Sequence, residues 1–246
     1  MPDERLQVVL ARHGLASRRG VVDLIESGKV QVNGAVVREK GFRVDAAKDE
    51  IRVEDNPLPG GAVLKKVYYV FHKPKGVMTT LQDPHAEKTV ADFFKGVGAR
   101  VFPVGRLDRD TTGLLILTND GELAFRLTHP KFGVPKRYRA RVRGSVTGEE
   151  AARLEAGVEL EEGKAAPCQV RIEKKDSDET TLFVVLHEGK KRQVRRIFEK
   201  VWHRVLELSR LNYGPLALGE LRPGEKRELS AGEVRALYEA TGSVRE

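Results

Sequence analysis

Between Gly113 and Asn119-Asp120-Gly121 lies the run Leu114-Leu115-Ile116-Leu117. It is too short for a helix, and a continuous apolar run bounded by turn residues fits a strand buried on both faces. A chain that contains such a strand must cover it on either side, so the domain around it is layered on a sheet. Gly121 then opens a helix with Leu123, Ala124 and Leu127 inward, closed by Pro130. The polar residues 106–112 form a loop feeding the central strand, and loops on rigid scaffolds are where reactive groups tend to sit. In this loop Asp108 and Asp110 interleave with Arg106 and Arg109. That pattern gives at least one aspartate a charged partner, or else makes a network of Asx turns and surface ion pairs.

A smaller unit precedes it. Leu6, Val9 and Leu10 stand at helical spacing, with Gly14 placed to end the helix. Ser17 is a suitable N-cap for a second helix whose Val21, Leu24 and Ile25 share a face, and Gly28 ends it. Val30-Gln31-Val32, Asn33-Gly34 and Ala35-Val36-Val37 read as strand, type I′ turn and strand, with a further short strand at 49–53. Arg18 and Arg19 fall in the first turn of the second helix, where the macrodipole disfavours cations by roughly 0.3–1 kcal/mol each. Phosphate partners would account for them, although exposed side chains there also cost little.

Asn56-Pro57-Leu58-Pro59-Gly60-Gly61 marks the boundary. Residues 1–60 are expected as one domain, 61–66 as a linker and 67–246 as a second domain. Residues 66–71 read as a buried strand, His72-Lys73-Pro74-Lys75-Gly76 as a basic loop leaving it, and 77–80 as a resumed strand. Lys73 and Lys75 suit either phosphate contact or a solvated loop.

Lys and Arg number 44 against 36 Asp and Glu, a net charge of +8. The first 60 residues balance, and the excess lies in residues 61–143, with a second basic concentration at 187–210. Clustered cations suit a polyanion, because phosphates reward them by counterion release. One cysteine, Cys168, excludes an internal disulfide and a cysteine-based zinc site. No apolar run approaches the roughly 20 residues of a membrane span, and Met1-Pro2-Asp3-Glu4-Arg5 offers no signal-peptide core, so a cytoplasmic protein is expected. Gly157…Gly163-Lys164-Ala165 has the wrong spacing for a phosphate-binding loop, and the six histidines form no ligand-spaced pair. Neither cofactor nor metal is expected.

Two resemblances extend this reading. Arg5-Leu6, Leu10-Ala11, Gly14-Leu15-Ala16-Ser17-Arg18-Arg19, Ile25, Gly28-Lys29-Val30 and Val32-Asn33-Gly34 resemble the alpha-L, or S4-like, RNA-binding domain. That resemblance implies contacts from Arg18, Arg19 and Lys29 to RNA backbone. Gly105-Arg106-Leu107-Asp108, Asp110-Thr111-Thr112-Gly113-Leu114-Leu115 and Leu117-Thr118-Asn119-Asp120-Gly121 are similar to the catalytic motif of the RsuA family of RNA pseudouridine synthases. Lys136-Arg137-Tyr138 resembles the family's Lys-x-Tyr element, and Glu188-Gly189-Lys190-Lys191-Arg192-Gln193-Val194-Arg195-Arg196 its later basic motif.

The resemblance implies an α+β chain, with a small S4-like module followed by a mixed, largely antiparallel-sheet synthase domain. It also implies isomerisation of a uridine to pseudouridine in ribosomal RNA. Asp108 is the implied nucleophile or base, Arg195 its partner, Tyr138 the face that stacks on uracil, and Arg106 the group that fills the vacated stack. Lys136, Arg192 and Arg196 are expected to meet RNA, the last two from a helix over about 190–201. The stretches 208–216 and 221–225 look closer to large-subunit than small-subunit members. The expected partner is large-subunit ribosomal RNA or an assembly intermediate, and the expected state a monomer. The alternative is a non-catalytic RNA-binding or ribosome-assembly factor that keeps the scaffold.

Overall fold

The structure is a computed structural model and describes residues 4–58 and 65–242, apart from the side chain of Arg18. Most of the expected linker at 61–66 therefore lies outside the described residues. The chain divides into two compact units, one holding the residues through Lys66 with Gly98–Arg100, the other Val67–Val97 and Val101–Glu246.

In the first unit, α1 (Leu6–Arg12) runs out at Gly14, whose φ is +76°. The helix α2 (Arg18–Glu26) starts where the Ser17 hydroxyl accepts from the Gly20 N–H at 3.0 Å. Strands β1 (Val30–Val32) and β2 (Ala35–Val37) pair antiparallel around Asn33 and Gly34. Both turn residues have positive φ, +51° and +80°, as a type I′ turn requires. Strand β3 (Ile51–Val53) pairs with β1 on its other edge. Leu6, Val9, Leu10, Val21, Ile25, Val30 and Ile51 close the core, so the helical and strand periodicities of the sequence meet in one cluster.

The second unit is built on a nine-stranded sheet among the described residues. Its long members are β4 (Tyr68–Lys73), β5 (Thr112–Thr118), β6 (Lys136–Arg143), β7 (Gln169–Lys175), β8 (Glu179–Leu186), β9 (Val205–Tyr213) and β10 (Lys226–Glu228). They run in the order β7-β8-β6-β9-β5-β4-β10, with short strands at Phe102–Pro103 and Leu216–Ala217 beside β5 and β9. Every pairing is antiparallel except β9 with β5. The fold is thus α+β on a mixed, mostly antiparallel sheet.

Leu114, Leu115, Ile116 and Leu117 are all fully buried, because β5 has a core on each side. Leu115 and Leu117 face the layer containing α4 (Gly148–Glu155) and α5 (Gln193–Glu199). Leu114 and Ile116 face α3 (Gly121–Thr128) and α6 (Ala231–Glu239). Among the described residues no helix is long and apolar enough to cross a membrane.

Two element expectations are corrected. Residues 77–80 make only an isolated bridge, Met78 to Thr89, through the Met78 N–H to the Lys88 carbonyl and the Val90 N–H to the Met78 carbonyl. The helix expected over 190–201 is Gln193–Glu199, because Arg192 takes a left-handed conformation, φ +51°, that no helix interior can hold.

Candidate active site

The loop 106–111 enters β5 through Gly113. Its φ is +107°, and an added Cβ would stand 2.3 Å from the Arg210 carbonyl oxygen on β9, so only glycine lets the two parallel strands approach here. Leu107 is buried in the same apolar core as Tyr138 and anchors the loop from below. The Thr79 hydroxyl donates to the Leu107 carbonyl at 2.7 Å, the Gly76 N–H donates to the Arg109 carbonyl at 2.8 Å, and the Thr111 N–H closes a turn onto the Asp108 carbonyl at 3.0 Å. The segment after β4 is therefore a frame for the loop rather than a free basic surface.

Lys73 is part of that frame, which corrects its expected role in phosphate contact. It is fully buried, and its Nζ donates to the Val77 carbonyl at 2.8 Å and the Pro74 carbonyl at 2.9 Å. Burial pulls its pKa down to about 8, opposed by the charges of Asp110 and Asp108. Lys75, two residues on, is exposed.

Asp108 and Asp110 stand against two guanidinium groups. The Arg195 side chain, 7% exposed, places Nη2 3.0 Å from the Asp110 carboxylate and donates to the Asp110 and Val205 carbonyls at 3.2 and 3.1 Å. Burial lowers its pKa from the ordinary arginine value, with Asp110 the main opposing charge. Arg192 spans both acids, 3.4 Å from Asp110 and 3.9 Å from Asp108. The expected pairing of Arg195 with Asp108 is therefore corrected: Arg195 takes Asp110, and the guanidinium nearest Asp108 belongs to Arg192. Left-handed backbone at Arg192 aims its side chain at the loop from just before α5 begins. The Asp108 side chain keeps 29% of its surface exposed, so an incoming group can reach it.

A cavity of about 430 Å³ opens beside this cluster, lined by Lys75, Asp110, Arg192, Arg195 and Arg204 among others. That volume lies within the range of small-molecule sites and suits a nucleotide.

The other expected site residues are dispersed. Arg106 is exposed, with no hydrogen bond or ion pair among the described residues. Tyr138 is 9% exposed, so most of the ring face expected to be open is sealed in the core. Arg196 is bonded by both terminal nitrogens to Glu162 and is not free for phosphate. In the first unit Arg19 is exposed, Lys29 pairs with Glu54 at 2.6 Å, and the Arg18 side chain lies outside the described residues.

Lys136 is also corrected. It is 7% exposed, donates to the Val134 carbonyl at 2.9 Å and lies 5.1 Å from the Tyr213 ring centre, because strand alternation puts it on the buried side with Tyr138. Burial, then the charge of Arg210, pulls its pKa down from 10.5 to about 8. The folded chain therefore carries a penalty that is complete below pH 8 and fades as pH rises toward 10.5. Lys136→Met should raise unfolding stability by about 1–3 kcal/mol at pH 7 and by much less at pH 10. Urea unfolding at the two pH values checks this, and a clear loss at pH 7 would contradict it.

Sequence reasoning missed Asp110 as the partner of Arg195, and missed Thr79 and Arg204 altogether. Asp110 was visible as the second carboxylate of the loop, but nothing in a two-residue spacing says which one turns toward α5.

Residues 67–200 match the RNA pseudouridylate synthase family, and residues 4–51 match the S4 domain. Ribosomal large subunit pseudouridine synthase B of Bacillus subtilis is 45% identical over 236 residues, 95% of each chain. The protein of the same name from Vibrio cholerae is 39% identical over 96% of this chain and 74% of its own. A solved pseudouridylate synthase crystal structure superposes with a TM-score of 0.69 at 28% identity, covering 95% of this chain and 99% of the other.

Proposed function

The chain belongs to the RNA pseudouridylate synthase family, and from that premise we propose that it isomerises one specific uridine of large-subunit ribosomal RNA with Asp108 as the reacting carboxylate. What supports this reading is Asp108, partly exposed on its loop beside Arg192, next to the open cavity that Asp110, Arg192 and Arg195 line. The reaction breaks the bond between C1′ and N1, turns the base, and joins C1′ to C5; C5 gives up its hydrogen as a proton and N1 takes one up, so the product is an isomer of the substrate. Nothing is oxidised, and no external energy is consumed.

Asp108 acts as nucleophile or base. Arg195 is a positioning residue: it ties the carboxylate and carbonyl of Asp110 to the start of β9 and so fixes the loop that carries Asp108. A uridine within a structured RNA must be flipped out to reach a carboxylate, at a cost of a few kcal/mol. Arg106, exposed two residues from Asp108, fills the gap left behind. Stacking on Tyr138 requires the RNA-bound enzyme to uncover a ring that is mostly buried in the free chain.

Residues 1–60, with Arg18, Arg19 and Lys29, form the RNA-binding domain, residues 61–66 the linker and 67–246 the catalytic domain. Lys75 and Arg192 meet phosphate beside the site. The protein acts as a cytoplasmic monomer and uses neither metal nor cofactor.

Mapping pseudouridines in ribosomal RNA from a strain lacking the gene tests the reading. One position in large-subunit RNA should revert to uridine. A full set of pseudouridines would favour the non-catalytic assembly factor, and a loss confined to small-subunit RNA would overturn the assigned target. Binding should also be strongly salt-dependent. With six or more phosphate contacts, affinity should fall about 10³-fold between 50 and 200 mM salt. A filter-binding series that changes less than about threefold would contradict phosphate-dominated recognition.

A further inference from the structure

Trp202 is the chain's one tryptophan, and 94% of its surface is exposed. Its φ of +65° lies in the left-handed region, which a bulky side chain adopts only under constraint. The constraint is visible. As α5 ends, the N–H groups of Trp202 and His203 donate to the carbonyls of Glu199 and Phe198 at 3.1 and 3.0 Å, a helix end at which glycine is the usual occupant of the left-handed position. On one side of the ring Val201 is buried. On the other, His203 is held by the Arg143 carbonyl at 2.7 Å and the Glu150 carboxylate at 3.2 Å. A turn fixed at both ends thus holds a large indole in water. Folding gains nothing from that choice, neither from its apolar surface nor from its backbone.

The surroundings indicate what the ring is for. Lys200 and Arg204, on either side of Trp202, are exposed and have no ion-pair partner among the described residues. Arg204 also lines the cavity that holds Asp110 and Arg195. Glu199 is the one acidic neighbour on the turn, and no other residue of the turn is both apolar and exposed. An apolar protein partner would find little besides the ring, whereas an aromatic face between two cations matches a nucleobase with its flanking phosphates. Two residues of chain separate Trp202 from Arg204 by no more than about 7.6 Å between Cα atoms, and Glu199 and Arg204 on either side of it line the cavity, so the turn that carries the ring adjoins that cavity.

We infer that Trp202 is a stacking platform for an unpaired RNA base next to the reacting nucleotide, with Lys200 and Arg204 on the adjoining phosphates. This rests on the RNA-modifying reading above. Because the tryptophan is unique, indole emission reports on this site alone. Wild-type protein is titrated with a transcript of large-subunit ribosomal RNA, and binding is followed separately on filters. Emission should fall in step with binding.

Trp202→Gly should bind the transcript about tenfold more weakly, the scale of one base–aromatic stack. Its melting temperature should be no lower than that of the wild type, because glycine is at ease at this φ. Trp202→Phe should recover most of the affinity. Bound RNA with unchanged emission, or wild-type affinity in Trp202→Gly, overturns the inference and leaves catalysis at Asp108 standing; the second result is also what a protein occupant would give. Failure of the wild type to bind RNA at all overturns both.

Discussion

Asp108→Asn should bind its RNA within about twofold of the wild type and convert uridine at least ~10⁴-fold more slowly, the scale on which losing a reacting group registers. The amide has the shape of the carboxylate, so the loop stays in place: its anchors are the Leu107 side chain and the backbone bonds to Thr79, Gly76 and Thr111, none of which uses the Asp108 carboxylate. The amide lacks the negative charge and the nucleophilic oxygen that either chemical role requires. RNA affinity comes from phosphate contacts elsewhere and should hardly change. Quantifying pseudouridine by mass spectrometry alongside filter binding separates the two effects.

Gly113→Ala should cost about 3–5 kcal/mol of stability, enough to lower the melting temperature visibly. Two penalties combine. A φ of +107° is strained for any side chain, and the new Cβ would meet Arg210 backbone at 2.3–2.9 Å, with no flexible side chain to move aside. The strand pair β5–β9 must separate, and that pair also sets the direction in which the loop enters β5. Thermal unfolding read by far-UV circular dichroism measures the loss. A variant as stable as the wild type would mean that the strands do not approach as closely as described.

Much of this arrangement is legible in the residues. Ser17, the Asn33-Gly34 pair and the apolar run 114–117 each have one local solution, because capping, positive φ and burial on both faces are properties of a few neighbouring residues. The loop with both carboxylates could be placed for the same reason. What could not be read is which charges face each other across the sheet. Arg195 reaches Asp110 rather than Asp108, and Arg192, whose left-handed backbone delays the start of α5, is the arginine that meets both acids; a left-handed arginine leaves no mark in the sequence.

Lys73 and Lys136 looked like open cations because a sequence displays ammonium groups but not the carbonyls that receive them. Lys136 did carry a usable sign: in Lys-Arg-Tyr-Arg-Ala-Arg-Val-Arg it shares parity with Tyr138, Ala140 and Val142, the inward set. Lys73 shares parity with the buried Tyr69 and Phe71 in the same way, but the expected strand stopped at residue 71 and left it in a loop, whereas β4 runs on through Lys73.

Because the ion pairs join Arg195 to Asp110, the assignment of chemistry to Asp108 meets its most direct test in a comparison of the two acids. The measurement is single-turnover release of tritium from 5-tritiated uridine in ribosomal RNA, with enzyme in excess, for the wild type, Asp108→Asn and Asp110→Asn. Asp110→Asn should release label slowly but measurably, since it loosens the loop, and Asp108→Asn should release none. Release by Asp108→Asn at or above the rate of Asp110→Asn would contradict the assignment.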